Sequence, residues 1–301
     1  MSLPAPERQN SNLSTKDRVV IVMGPTGSGK STFVDCATQQ NGMSIGHSLI
    51  SHTSLIRSVR TSHPDDKKPV IFVDTPGFDD TYKSDIDILS QIAGWFVVVY
   101  KEKASLSAIV YLHRISDNRM AGTPLRNLQM FTSMCGQAAM PRIVLGTTMW
   151  SHVRNPETAV GREQELKTTF WADMIAQGST VQRFHNSYES AWKLVGELPA
   201  QPGDIILSRE IYDDKKGLNE TTAGVKLKEQ LNKLIADQKE ATRRLEEHMR
   251  KQDNVVLVAE LQRERQEIEQ KIDSATVQLQ TLKIPLGKKI GKFFAGRKPR
   301  K

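Results

Sequence analysis

The chain has 301 residues, 38% hydrophobic and 25% charged, the balance of a protein with an ordinary buried core. No run approaches the roughly 18 uninterrupted apolar residues that a membrane span requires. The formal charge of +8 points to nucleic acid only until it is located: Lys288, Lys289, Lys292, Arg297, Lys298, Arg300 and Lys301 put seven positive charges into the last 14 residues, which hold no acid. The rest of the chain is therefore nearly neutral, so the basic character belongs to a tail and no specific nucleic-acid partner is expected. Cys36 and Cys135, the only cysteines, fall on predicted helices, the usage of reduced thiols in a cytoplasmic protein.

In chain order, residues 1–16 are polar and hold Pro4 and Pro6, and are expected to be disordered. Arg18–Met23 is continuously apolar after its first residue, as a strand buried on both faces should be. It runs into Gly24, Pro25, Thr26, Gly27, Ser28, Gly29, Lys30, Ser31 and Thr32, the pattern G-x-x-x-x-G-K-[ST] between a strand and a helix. Its glycines let backbone N–H groups close around a phosphate chain where a Cβ would block the approach, and the helix that follows adds its positive dipole end. Lys30 is placed to reach the β/γ-phosphates and the Ser31 hydroxyl to ligate Mg²⁺. The stretch thus reads as a nucleoside triphosphate site.

The helix is expected to run to about Gln40. The polar segment Ser44 to Lys68 reads as an exposed loop or edge strand. It holds Thr53, the candidate to give a hydroxyl to Mg²⁺ and to the γ-phosphate, with Ser51 and Ser54 as open alternatives. Val70–Val73 is a second buried strand, ending in Asp74-Thr75-Pro76-Gly77. An acid at the carboxyl end of a parallel strand can hold Mg²⁺ through its water shell. Gly77, with no side chain, lets its N–H approach a γ-phosphate. Phe96–Tyr100 resembles a strand, but Ile86, Leu89, Ile92, Ala93, Phe96 and Tyr100 recur at three- and four-residue steps, so one helix is predicted over Ser84 to Lys103.

Further along, a strand is predicted at Ser107–His113, followed by the polar loop Arg114–Arg119 at its carboxyl end. A helix follows from Thr123-Pro124 to Gly136, then a strand at Arg142–Leu145 leading to Thr147, Thr148, Met149 and Trp150. Asn155-Pro156 opens what reads as one helix to about Gln177. Thr180–Phe184 is the last strand, and Ser187 caps a helix through Leu198. The alternation predicts an α/β fold, a mostly parallel sheet with helices on both faces, over residues 17–200. Residues 201–220 read as a linker with one peripheral helix. Residues 221–283, almost free of Gly and Pro, read as a long helix or helical hairpin forming a coiled coil, or alternatively packed back on the globular part. The tail, 284–301, mixes Ile290, Phe293 and Phe294 with its basic residues, a composition suited to an anionic membrane surface or to a free basic end.

The phosphate loop with Asp74-Thr75-Pro76-Gly77 at this spacing resembles the translation-factor-related class of P-loop GTPases, and within it the septin, chloroplast-import-receptor and immunity-associated group. More narrowly, Tyr111–Ile115 with Asp117 and Arg119, then Thr147–Trp150, is similar to fungal proteins described as G-domain-containing. The resemblance implies a GTP/GDP- and Mg²⁺-dependent switch that hydrolyses GTP and dimerises through the nucleotide face or the helical arm. It also departs from the family in two places. GTPases carry Asn/Thr-Lys-x-Asp after the fifth strand; here Trp150 stands at the position of the acid and cannot accept bonds from guanine N1 and N2, although it could stack on a purine. Asn186 stands in the loop where backbone N–H groups meet the guanine O6. Phe78 follows Gly77 where Ras-like enzymes have a water-orienting Gln, so slow turnover is expected, with Arg119 or Arg114 supplying the missing charge in cis or from a second protomer. An ATP-using kinase and a non-hydrolysing, nucleotide-bound scaffold are the rival readings.

Overall fold

The computed structural model describes residues 13–40, 56–78, 83–199, 203, 205–251 and 255–284. Six strands form one sheet in the order β2-β3-β1-β4-β5-β6. They are β1 (Arg18–Met23), β2 (Arg57–Ser62), β3 (Pro69–Asp74), β4 (Ser105–Arg114), β5 (Ile143–Thr148) and β6 (Thr180–Arg183). All neighbouring pairs are parallel except β2 with β3, where Arg57 stands opposite Asp74. The central strands β1, β3 and β4 are buried nearly throughout, so both faces must be covered by helices.

One face is covered by α1 (Lys30–Thr38) and α6 (Tyr188–Val195), packed over Val20, Val22, Phe72 and Val110. Aromatic rings fill that layer edge to face: Phe33 meets Phe184 at 5.1 Å and Phe72 meets Trp192 at 5.3 Å. The opposite face carries α2 (Asp85–Lys101), α3 (Thr123–Cys135), α4 (Pro156–Glu165), α5 (Ala172–Ala176) and α7 (Ile206–Tyr212). The strand-like run Phe96–Tyr100 lies in α2, as the three-four spacing requires: Ile86, Leu89, Ile92, Ala93 and Phe96 all face the core. Ser84 caps it by accepting from the Asp87 N–H at 3.2 Å.

Two expectations need correction. The helix predicted from Pro156 to Gln177 is broken. After α4 a wide turn covers Leu166–Phe170, in which the Trp171 N–H donates to the Leu166 carbonyl at 2.8 Å, and α5 follows. The extra residue in the turn swings the Trp171 ring into the core, fully buried and 6.2 Å from the His113 ring. Second, α7 is not peripheral. Leu207 is fully buried against the core, and Glu210, 4% exposed, accepts from the Thr222 N–H at 2.9 Å and from Lys216 Nζ at 3.0 Å. α7 is a strut between the sheet domain and the helices that follow.

Those helices, α8 (Thr222–Met249) and α9 (Val255–Leu282), form an antiparallel hairpin, with Arg265 Nη1 3.6 Å from Glu246 Oε1 across it. Leu227 and Leu231 of α8 and Ile268, Ala275 and Leu282 of α9 are buried along the seam and against the domain. Gln230 Nε2 donates to the Arg126 carbonyl of α3 at 3.2 Å, fixing the start of the hairpin to the sheet domain. The amphipathic pattern therefore serves both an intrahairpin seam and a docked base. Among the described residues no helix is long and apolar enough to cross a membrane. The basic tail beyond Ile284 and the segment holding Ser51, Thr53 and Ser54 lie outside the described residues.

Candidate functional site

The carboxyl ends of β1, β3, β4 and β5 meet at one edge of the sheet, the place where open α/β sheets bind ligands. At that edge Gly24, Gly27 and Gly29 take positive φ values of 141°, 76° and 89°, a path closed to residues with side chains. A Cβ on Gly24 would stand 2.3 Å from the Leu112 carbonyl oxygen. Pro25 and Ser28 are buried, Thr26 is half-buried, and Thr32 sits in the first turn of α1. Lys30 curls over the loop, donating from Nζ to the carbonyls of Gly24 at 2.9 Å and Pro25 at 2.8 Å. A phosphate oxygen entering the loop would find the ammonium already poised above it.

Next to Lys30, Ser31 Oγ donates to Asp74 Oδ2 at 2.7 Å. Asp74 is 1% exposed, and among the described residues its Oδ1 has no hydrogen-bond partner. Burial pushes its carboxyl pKa up, against the lowering effect of the Ser31 hydrogen bond, Lys30 and Arg57. A buried carboxylate oxygen with nothing to accept from, next to a serine hydroxyl, is the oxygen-donor set that a hydrated Mg²⁺ uses, the remaining ligands coming from phosphates and water. The residues present fit the ion.

Gly77 completes the phosphate side. A Cβ there would lie 2.5 Å from Thr26 N and 2.9 Å from the Pro25 carbonyl carbon, so its backbone rests directly on the loop. Phe78, which follows, turns away into the core at 6% exposure. Its carbonyl accepts from Asn127 Nδ2 of α3 at 3.3 Å. Phe78 also lines a cavity of about 140 Å³ shared with Asn127 and Met130 of α3 and Leu227 and Leu231 of α8. The residue after Gly77 thus shares a cavity with the helical arm.

On the base side the four singled-out residues do separate jobs. Thr148 Oγ1 donates to the Ser28 carbonyl at 2.9 Å, tying β5 to the phosphate loop. Met149, in the left-handed region at φ 59°, lays its methyl 3.7 Å from where a Gly29 Cβ would be. Thr147 faces the other way: its hydroxyl donates to Glu163 Oε1 at 3.3 Å and accepts from Trp150 Nε1 at 3.1 Å. The Arg183 guanidinium lies 4.1 Å over the Trp150 ring and is clamped by Glu163, Nε to Oε1 at 3.0 Å and Nη2 to Oε2 at 2.6 Å. Burial raises the Glu163 pKa, but the hydrogen bonds from Arg183 and Lys167 outweigh it and keep the acid ionised. One face of the indole is therefore taken, and the ring also packs against the core and stands 6.2 Å from the His185 ring. Asn186 is exposed at φ 54° in the loop between β6 and α6.

Arg114 and Arg119 lie beyond the end of β4. Arg114 Nη1 is 3.0 Å from where a Gly27 Cβ would stand, so its guanidinium touches the phosphate loop. Its Nε is 3.0 Å from Asp117 Oδ1, so the local partner of Asp117 is Arg114, not Arg119. Arg119 is exposed at the mouth of a cavity of about 250 Å³ between this loop and α4, floored by the buried His113. Sequence reading missed Arg57 and Asp35, whose guanidinium and carboxylate meet at 2.9 Å beside Asp74; their separation of 22 positions gives no local signal.

Residues 19–138 match a family model described as 50S ribosome-binding GTPase. A search of curated proteins finds no match. Similar solved structures include the GTPase Toc33 from Arabidopsis thaliana with GDP and Mg²⁺, at 19% identity over 57% of this chain and 72% of that one, TM-score 0.43. A dimerisation-deficient mutant of the same protein matches at 17% identity over the same shares, TM-score 0.46. Era of Aquifex aeolicus bound to GDP and AlF4⁻ matches at 15% identity, over 56% of this chain and 51% of that one, TM-score 0.41. The loop, the serine–aspartate pair and Gly77 at one sheet edge all lie within residues 19–138, the part of the chain that is similar to this GTPase family.

Proposed function

We propose that the protein is a guanine-nucleotide switch that binds GTP and GDP with Mg²⁺, hydrolyses GTP slowly, and passes its nucleotide state to the α8–α9 hairpin. The observation that carries the reading is the contact of Gly77 with Thr26 and Pro25, followed directly by Phe78, which bonds to α3 and shares a cavity with α8. A γ-phosphate entering the loop has to take space where Gly77 rests. The Gly77 backbone must then move, and Phe78 moves with it, reshaping the cavity it shares with Leu227 and Leu231.

In the hydrolysis step, water attacks the γ-phosphorus in line as the bond to the β-γ bridging oxygen breaks, giving GDP and phosphate. Lys30 and the loop amides stabilise charge on the β/γ oxygens, and Ser31 and Asp74 would hold the Mg²⁺, with Thr53 as the further candidate ligand. The ion neutralises developing phosphate charge when bound. Phe78 points into the core and cannot orient the water, so turnover depends on added charge. Arg114, against Gly27, is placed to act within the chain. Arg119, exposed at the cavity mouth, is the residue we assign to action on a second protomer. Trp150, read as standing at the position of the family's guanine-reading acid, cannot accept bonds from guanine N1 and N2. Recognition of the base then rests on the loop around Asn186 and on Trp150.

GTP turnover measured against protein concentration tests the arginine roles. Turnover per protomer that rises with concentration in the wild type and stays flat in Arg119→Ala supports action across two protomers. A fall in Arg114→Ala at all concentrations supports action within the chain. Turnover at background for all three proteins, with GTP bound, refutes the hydrolytic reading and favours the scaffold. The unpaired thiols Cys36 and Cys135 fit a cytoplasmic setting. The basic tail is proposed as a contact to anionic membrane, checked by vesicle binding with and without residues 284–301.

A further inference from the structure

The Asp74 carboxylate has a cationic neighbour that no part of the nucleotide machinery above explains. Arg57 opens β2, the edge strand that follows the segment containing Thr53, and pairs across the sheet with Asp74. Its Nη2 donates to Asp35 Oδ1 at 2.9 Å and its Nη1 to Gln40 Oε1 at 3.3 Å. Among the described residues its buried Nε has no hydrogen-bond partner, and it stands 3.9 Å from Asp74 Oδ2, the same oxygen that accepts from Ser31. The Asp35 side chain is 2% exposed and that of Asp74 1%, while the guanidinium chain between them is 23% exposed. Asp35 lies one helical turn beyond Ser31 on α1, so one guanidinium stands between two buried acids, each attached to an element of the metal site.

Two buried carboxylates so close to a phosphate-binding loop repel a polyphosphate unless a cation intervenes. Mg²⁺ supplies one such charge when present, and Arg57 supplies another that is built into the chain. We propose that Arg57 is a resident counter-cation of the magnesium site, which positions Asp74 and sets how steeply nucleotide binding depends on Mg²⁺. This inference rests on the reading of Ser31 and Asp74 as the magnesium pair.

The test is the affinity of the full chain for a fluorescent GDP analogue, in saturating Mg²⁺ and in EDTA, with the ratio of the two dissociation constants as readout. Arg57→Gln raises that ratio about tenfold over the wild type, almost all of it from weaker binding in EDTA, because the acids then face the phosphates bare. Arg57→Lys, which keeps the charge, stays within about threefold of the wild type. A ratio for Arg57→Gln at or below that of the wild type overturns the proposal. If thermal denaturation shows Arg57→Gln to be unfolded, Asp35→Asn decides. Freed from Asp35, the guanidinium serves Asp74 alone and the ratio falls; an unchanged or higher ratio overturns the proposal. A wild type whose affinity ignores EDTA refutes instead the Ser31–Asp74 assignment on which the inference stands.

Discussion

Replacing Gly77 by alanine isolates the contact on which the switch reading depends. The added methyl would meet Thr26 N at 2.5 Å, Thr26 Oγ1 at 2.7 Å and the Pro25 carbonyl carbon at 2.9 Å. Two of those three atoms are backbone and cannot rotate aside, so either Gly77 retreats or the phosphate loop deforms. Gly77 does not occupy the left-handed region, so the cost is steric, with no added dihedral strain. Overpacking of this kind costs about 1–3 kcal/mol. For a domain of roughly 200 residues, that lowers the melting temperature by about 2–10 °C. Displacing the Thr26 amide weakens GDP binding, and keeping the residue-77 N–H away from the γ-phosphate weakens GTP binding further. Thermal denaturation and nucleotide titration of Gly77→Ala measure both effects. Gly161→Ala is the control: it lies in α4 with no atom within 4 Å of the added methyl, and it should stabilise by about 1 kcal/mol. A Gly77→Ala protein that melts with the wild type and keeps its GTP and GDP affinities would refute the packing of Gly77 on the loop.

The remaining predictions concern the base side and the core. Thr148→Val keeps shape but removes the donor to the Ser28 carbonyl, and should cost about 1–3 kcal/mol of stability. Nucleotide affinity should fall with it, because β5 no longer holds the loop; unchanged chemical denaturation and titration curves would show that the tether carries no energy. His113 is buried, which pushes its pKa down from 6.5 to about 4, so it is neutral in the fold and binds a proton more readily when unfolded. Its stability contribution is therefore complete above pH 6.5 and lost as pH falls toward 4, amounting to about 3 kcal/mol. Urea midpoints at pH 7 and pH 4.5 should diverge more for the wild type than for His113→Gln, and equal divergence would refute the assignment.

What the sequence made legible was local. The phosphate loop announces itself because glycines, lysine and serine must be consecutive to wrap a phosphate. The identity of α2 could be read through the strand-like Phe96–Tyr100 run because helical spacing persists across the whole segment. Contacts between distant positions left no such trace. Nothing near Arg57 marks it as a neighbour of Asp74, and nothing near Trp150 marks Arg183 as the group lying over its ring. The break between α4 and α5 also depends on tertiary packing, since the wide turn is what carries Trp171 into the core. α7 reads as a peripheral helix because Leu207 and Glu210 reveal their roles only against α2, α3 and α8.

The most direct measurement is competition of GTP, GDP and ATP for the 301-residue chain in Mg²⁺. The account predicts that both guanine nucleotides displace a bound fluorescent guanine nucleotide at far lower concentration than ATP does. ATP binding as well as or better than GTP would contradict it, leaving the phosphate-side chemistry of Lys30, Ser31 and Asp74 in place but attached to a different base.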